Sequence, residues 1–294
     1  MTKRYPLFFR FNCSLLLLLL PAALVFTLAG TASAAPRTTN LWWLPEVASR
    51  SGEKIDQLLY AIFYLTAGVF IVTQVVYVYF LIRYRARKGA KATYSHGNNR
   101  LEFIWTVIPT AIFISLWGYG NHLWWDVIHA EPPAGTLEVA VTAYQFAFSF
   151  QYPGADMKLG RTDVRLLSND NLFGNDKNDP ASKDNFTSPV LELPVNKPVR
   201  IRLNSKDVIH AFYIPEFRVY QDAVPGRTID WVWFVPTKVG SFQLACNQLC
   251  GSGHYNMKAQ IQVVSQEEFD KWYKEKTAAV ALSNASDRAY AQNR

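Results

Sequence analysis

The 294-residue sequence predicts a two-part chain: a two-helix transmembrane hairpin followed by a small all-β sandwich or barrel outside the membrane. Three observations carry this fold class. Two uncharged apolar stretches, at about 58–82 and 103–123, are each long enough to cross a bilayer as a helix. The loop between them is strongly basic. After Pro132-Pro133 the long apolar runs give way to short alternating stretches separated by turn residues.

Composition narrows the function classes. The chain is 50% hydrophobic and only 18% charged, too apolar for a disordered chain. Its net charge of +7 is unevenly placed. Lys3, Arg4 and Arg10 lie in the N-terminal segment, while Arg83, Arg85, Arg87, Lys88, Lys91 and Arg100 form one run between the apolar stretches. From Glu131 to Val264 thirteen basic side chains balance thirteen acidic ones. A nucleic-acid footprint needs a basic face, so no nucleic-acid partner is expected.

Residues 1–34 read as an export signal, expected to be cleaved. They carry a basic start, an apolar run from Leu15 to Leu28, and Ala32-Ser33-Ala34 at the spacing of a cleavage site. The competing reading is an uncleaved third span. Cys13 belongs to this segment and lacks the small residues that precede a lipid-modified cysteine. Residues 35–130 form the hairpin, because backbone groups in lipid must be satisfied internally. The loop holds Lys and Arg without an acid, which the positive-inside rule places in the cytoplasm with both ends of the hairpin outside. Trp42, Trp43, Trp124 and Trp125 then fall at the outer membrane interface. Glu102 opens the second span at its cytoplasmic end. It is either an acid favoured by the helix dipole or part of a proton path.

Residues 131–265 make the outer domain. Tyr144, Phe146, Phe148, Phe150 and Tyr152 occupy alternate positions, as in one strand with a buried face. Further strands are expected at 190–193, 199–203, 211–214, 228–234, 240–245 and 258–264. No βαβ rhythm appears, so a small antiparallel sandwich or barrel is expected. The Asn- and Asp-rich stretch 168–188 reads as a solvated insertion. Residues 266–294 read as a short amphipathic helix over 266–276 and a mobile tail.

The chemistry concentrates in Cys246-Asn247-Gln248-Leu249-Cys250-Gly251-Ser252-Gly253-His254-Tyr255-Asn256-Met257. In an oxidising compartment the plain alternative is a disulfide. The neighbours point elsewhere: two thiols, an imidazole and a soft thioether within a glycine-permissive turn are a copper-type ligand set. Zinc is the rival metal, but zinc has no use for Met257. His210, at the start of another predicted strand, supplies a second imidazole. This set exceeds what one small ion takes and suits two copper ions sharing the sulfurs, an arrangement whose natural task is electron transfer.

These features resemble subunit II of the haem–copper cytochrome c oxidases. The resemblance is carried by the hairpin, by the run Leu101 to Pro109 opening the second span, by Asp207-Val208-Ile209-His210, by Asp222-Ala223-Val224-Pro225-Gly226-Arg227, and by the Cys-His-Met run. It implies a cupredoxin-like Greek-key domain holding a dinuclear CuA centre. Cys246 and Cys250 would bridge the coppers, His210 and His254 would each bind one, and Met257 and the backbone carbonyl of Gln248 would complete the set. It implies electrons received from a c-type cytochrome and passed to haem in subunit I, where oxygen is reduced and protons are pumped. Subunits I and III and membrane lipid are the implied neighbours, in a bacterial-type inner membrane with the copper domain on the periplasmic face. Glu102 matches the family acid at the mouth of a proton-uptake path.

Two departures stand out. The family usually has Glu where this chain has Gln248, and a neutral amide is a poor ligand for a hard cation, which counts against magnesium binding there. The family tryptophans of the aromatic strand are replaced by Phe146 and Phe148, and the outer domain offers no acidic face for steering a basic cytochrome. An unusual donor, a membrane-held cytochrome in a larger assembly, is therefore expected. Three other classes share part of the pattern. A copper-free quinol-oxidising subunit would lack the ligands retained here, a Sco-type copper chaperone has a thioredoxin-like αβ pattern, and the copper domain of nitrous-oxide reductase lacks the hairpin.

Overall fold

The computed structural model describes residues 43–92 and 94–292; the predicted export signal, Cys13 and Trp42 lie outside the described residues. Helix α1 spans Gly52–Arg83 and α2 spans Asn99–Trp124. Both carry exposed apolar side chains around their length, among them Phe70, Ile82, Phe113 and Trp117. Water would not tolerate so much exposed apolar surface, whereas lipid requires it. Helix α1 begins before the apolar run and takes in Glu53, Lys54 and Asp56, which belong to the bilayer surface rather than its interior. Asn98 caps α2: its side-chain oxygen accepts from the Arg100 and Leu101 amides at 3.0 and 3.3 Å. Glu102 lies in the first turn, exposed and beside the positive helix end. A π-helical turn, Trp125–His129, leads from α2 into the β domain. The Trp233 indole donates to the carbonyl of Ala130 at 2.8 Å beyond it.

A strap ahead of α1 fastens the hairpin to the β domain. The Ala48 amide donates to Glu216 O at 2.8 Å, and the Arg50 amide to Val235 O at 3.1 Å. Thr237 N donates back to Ala48 O at 2.9 Å. The Ser49 hydroxyl donates to Phe217 O at 2.6 Å. Arg218 closes the join through a bidentate pair with Asp56 at 2.7 and 2.9 Å. Both side chains of that pair are almost fully withdrawn from water.

The ten strands among the described residues are β1 (Leu137–Tyr144), β2 (Ala147–Tyr152), β3 (Phe186–Ser188), β4 (Leu191–Pro194), β5 (Val199–Ser205), β6 (His210–Ile214), β7 (Val219–Ala223), β8 (Ile229–Phe234), β9 (Gly240–Ala245) and β10 (Lys258–Val264). They form two five-stranded sheets, ordered β3-β2-β1-β5-β8 and β4-β10-β9-β6-β7. Between them lies an apolar core that includes Val139, Val141, Phe150, Ile201 and Leu203 from one sheet and Phe212, Ile214, Leu244, Ile261 and Val263 from the other. The sheets are mixed rather than purely antiparallel, because β1 pairs with β5 and β4 with β10 in parallel. Each parallel pair is joined by a long stretch of chain, which parallel neighbours require.

The single aromatic strand expected over Tyr144–Tyr152 is instead the meeting of two antiparallel strands. Gln145 and Phe146 form the turn, and β1, which the aromatic alternation does not reveal, precedes it. Phe148, Phe150 and Tyr152 are buried, while Phe146 is 36% exposed. Tertiary bonds hold this turn: Gln145 N donates to the Asp207 carboxylate at 2.7 Å, and Gln145 Nε2 to Cys250 O at 2.6 Å. Local alternation cannot report bonds to residues more than sixty positions away.

The C-terminal helix also departs from expectation, since α3 runs Gln266–Gln292 where a short helix and mobile tail were expected. Ser265 and Glu268 form a reciprocal capping box, with Glu268 N to Ser265 Oγ at 3.2 Å and Ser265 N to Glu268 Oε2 at 3.0 Å. No Gly or Pro follows Ser265, and the later turns are rich in alanine, so nothing stops the helix. Its first turns pack on the domain through Phe269, Trp272 and Tyr273, with Trp272 edge-on to Tyr152 at 5.1 Å. Tyr152 itself is fully buried and donates to Glu192 O at 2.8 Å. Burial raises its phenol well above the usual range, so it stays a donor. Tyr152→Phe is expected to cost about 1 kcal/mol, the net worth of one buried hydrogen bond, in denaturant unfolding of the full chain in detergent.

Candidate metal centre

Two adjacent strands of one sheet build the site. The connection from β9 to β10, residues 246–257, is a loop closed by Cys246 N donating to Met257 O at 3.0 Å. Inside it, His254 N donates to Gly251 O at 3.1 Å, and His254–Asn256 form a single 3-10 turn. Gly251 has φ +140°, a conformation that side chains rarely adopt. A Cβ there would also meet Gln145 Nε2 at 2.9 Å and the Phe146 ring at 3.0 Å, so the β1–β2 turn lies directly on this loop. Strand β6 pairs with β9 through Tyr213 and Ala245, which brings His210, its first residue, beside Cys246.

The donor atoms converge. Cys246 Sγ lies 3.9 Å from Cys250 Sγ, so the two cysteines are free thiols, both buried. Cys246 Sγ is 3.9 Å from His210 Nδ1 and 3.2 Å from the carbonyl oxygen of Gln248. Cys250 Sγ is 3.6 Å from His254 Nδ1 and 3.7 Å from Met257 Sδ. The ligand atoms of His210, Cys246 and Cys250 all lie within 4.8 Å of one another. Each sulfur thus has one imidazole nitrogen on its own side, with the carbonyl beside one and the thioether beside the other. Thiolate, imidazole and thioether are soft or borderline donors, and this set fits copper better than a hard cation. The residues present therefore fit the dinuclear group.

Asp207 orients one of these donors. His210 is fully buried, and its Nε2 lies 2.7 Å from Asp207 Oδ1. Donation from Nε2–H to that carboxylate leaves Nδ1 with its lone pair facing Cys246. Burial raises the Asp207 carboxyl, but hydrogen bonds from the Gln145 amide, His210 and the Val208 amide outweigh it and hold the group below its ordinary value. The acid therefore stays ionised as the acceptor for His210. Burial, followed by the neighbouring Cys246, pushes the Cys250 thiol up to about 11. A cation held by Cys250 would invert that balance, because it would stabilise the thiolate directly.

The rim is apolar. Leu249 and Tyr255 are 82% and 84% exposed, and Ile209 and Phe146 also reach the surface. Phe148 points into the core instead. Among the sequence-predicted site residues, His210, Cys246, Cys250, His254, Met257 and the Gln248 carbonyl come together here. Glu102 stands apart, at the end of α2 away from the β domain. Sequence reasoning assigned no role to Asp207 or to Gln145. Asp207 stood in the Asp-Val-Ile-His run three residues before His210, a signal for a carboxylate partner; Gln145 had none.

Comparison with known proteins decides the family. Residues 137–264 match the family model "Cytochrome C oxidase subunit II, periplasmic domain", and residues 36–119 match "Cytochrome C oxidase subunit II, transmembrane domain". The alternative cytochrome c oxidase subunit 2 of Bradyrhizobium diazoefficiens is 32% identical over 272 residues, covering 91% of this chain and 96% of its own. The chain belongs to the cytochrome c oxidase subunit II family. Cytochrome c oxidase subunit 2 of Cereibacter sphaeroides is 27% identical, covering 82% of this chain and 77% of its own. The crystal structure of the periplasmic domain of subunit II of cytochrome oxidase of Bradyrhizobium japonicum is 31% identical, covers 51% of this chain and 99% of its own, and has a TM-score of 0.38. As a member of this subunit II family, the chain is a haem–copper oxidase subunit: a membrane protein with two apolar helices and a C-terminal domain outside the bilayer.

Proposed function

We propose that this subunit is the electron-accepting part of the oxidase. In this reading it holds a CuA centre through His210, Cys246, the Gln248 carbonyl, Cys250, His254 and Met257. One observation carries the reading: two buried, unlinked thiols 3.9 Å apart, each with its own imidazole. When bound, a copper pair in this set supplies a one-electron acceptor whose charge is shared over both ions, so little geometry changes on the way from a c-type cytochrome to haem in subunit I. The chain's own residues do the rest. Asp207 holds the His210 ring, the glycine-containing loop places both thiols on one side, and burial of the sulfurs excludes water. A copper-free quinol-oxidising relative would have no use for this convergence. Oxygen reduction and proton pumping belong to subunit I, with subunit III as a further neighbour. Glu102 is assigned to proton uptake at the far end of the hairpin. The basic loop supports an orientation with that end in the cytoplasm and the β domain on the outer face.

The test is elemental analysis with electron spin resonance on the copper-loaded full chain. The expected result is two copper ions per chain and hyperfine structure from two equivalent nuclei; a single-copper signal would overturn the reading. The contribution of Asp207 is separately measurable. Asp207→Asn is expected to weaken copper binding by about 10–100-fold, as loss of a partner behind a ligating histidine does, read by chelator competition. No role in magnesium binding is assigned to Gln248, whose neutral amide suits a hard cation poorly.

The rim supports one kind of donor. A neutral outer domain and the exposed apolar side chains Phe146, Leu249 and Tyr255 favour a donor docked by apolar contact, held in the membrane beside the oxidase. Turnover of the complex with soluble cytochrome c is expected to change little with ionic strength. Fast, steeply salt-sensitive turnover would show charge steering and exclude this donor.

A further inference from the structure

We propose that the loop joining the two spans is a binding surface for the headgroups of anionic phospholipids. Arg83, Arg85, Arg87, Lys88, Lys91 and Arg100 stand within eighteen residues, and no Asp or Glu occurs between Arg83 and Leu101. All six are exposed. Among the described residues, no carboxylate pairs with Arg85, Arg87, Lys88, Lys91 or Arg100. The outer domain, by contrast, is balanced at thirteen charges of each sign. The chain's uncompensated positive charge outside its N-terminal segment is thus concentrated on this one loop.

Its position selects the ligand. Both ends of the loop continue into membrane-spanning helices, at Arg83 and Asn99, so it cannot leave the bilayer surface. Tyr84 and Tyr94 are 70% and 85% exposed, the placement of aromatic side chains at headgroup level. The Arg83 guanidinium lies over the Tyr84 ring at 5.5 Å, which keeps a charge at the helix end. Long basic side chains extend from apolar stems toward phosphate, and arginine matches a phosphate's paired oxygens with two donors. A role in membrane topology uses these charges only during insertion. Afterwards they remain exposed beside the headgroups, and a cluster of four to eight such residues next to a span attracts anionic lipid. The inference is independent of copper and of which face the loop occupies.

The experiment uses the full chain in phosphatidylcholine bilayers containing spin-labelled phosphatidylglycerol or phosphatidylcholine as the probe. The expected result is preferential association of the anionic lipid by about fivefold, the factor one basic side chain contributes near an anionic surface. The preference should fall toward one as salt rises from about 0.01 M to about 1 M, where the screening length shrinks from about 30 Å to about 3 Å. The combined substitution Arg85→Gln, Arg87→Gln, Lys88→Gln and Lys91→Gln should abolish it while cysteine labelling reports unchanged topology. Equal preference in the wild type and this variant overturns the proposal. If the variant inserts wrongly, the salt series on the wild type decides, and a salt-independent preference overturns the proposal. Loss of the preference on adding millimolar inorganic phosphate would identify a free-anion site instead and equally reject a lipid surface.

Discussion

Cys246→Ser is expected to leave the full chain with fewer than two copper ions and without a two-nucleus spin resonance signal. Cys246 Sγ lies beside His210 Nδ1, the Gln248 carbonyl and Cys250 Sγ, so its loss removes the donor that ties these three into one site. A serine hydroxyl is a hard, weakly acidic oxygen and does not replace a thiolate for a soft metal. The loss should exceed the roughly 10–100-fold that follows from changes behind a ligand. The substitution is nearly isosteric and the loop's closing bond, Cys246 N to Met257 O, uses backbone atoms only. The far-ultraviolet dichroism of the variant should therefore match the wild type. Retention of two coppers with an unchanged spectrum would remove Cys246 from the ligand set and with it the dinuclear reading.

Asp56→Ala is expected to destabilise the full chain by about 3–5 kcal/mol, because it leaves a buried guanidinium without its carboxylate. Arg218 is 9% and Asp56 11% exposed at the side chain, so water reaches neither well enough to compensate. Arg218 also sits at φ +56°, in the left-handed region, as the residue that ends the turn Pro215–Phe217. The damage should localise to the strap: thermal unfolding in detergent should shift downward, and protease should reach residues 46–56 sooner. The double variant Asp56→Leu with Arg218→Met should recover most of the loss, since removing both charges removes the desolvation cost as well. If Asp56→Ala unfolds at the wild-type temperature, the pair does not hold the domain to the hairpin.

These two sites mark opposite limits of what is legible in the sequence. Cys246, Cys250, His254 and Met257 lie within twelve residues, and their spacing with the intervening glycines announced a metal-type loop before any fold was known. Asp56 and Arg218 are 162 positions apart, and nothing in either neighbourhood signals the other. The same contrast runs through the β domain. Strands β5, β8, β9 and β10 were legible as short apolar runs bounded by turns. Strand β7, with its sequence Val-Tyr-Gln-Asp-Ala, has no such pattern and is a strand because β6 pairs with it. The aromatic alternation through Phe146 suggested one strand, and only the bonds from Gln145 to Asp207 and Cys250 explain why the chain turns there.

By itself, the sequence determined the quantities that depend on local composition. These are two helices apolar enough for lipid, a basic loop between them, an all-β domain after Pro132-Pro133, and a run of two thiols, an imidazole and a thioether within twelve residues. The tertiary structure alone decided which distant groups meet: His210 beside Cys246, Asp207 behind His210, Arg218 against Asp56, and Phe146 across the glycines of the loop from Cys246 to Met257. Hydropathy and turn propensity act over a few residues and are written in order along the chain. A hydrogen bond or ion pair between strands exists only once the backbone has brought its partners within about 3 Å, a distance that no spacing in sequence encodes.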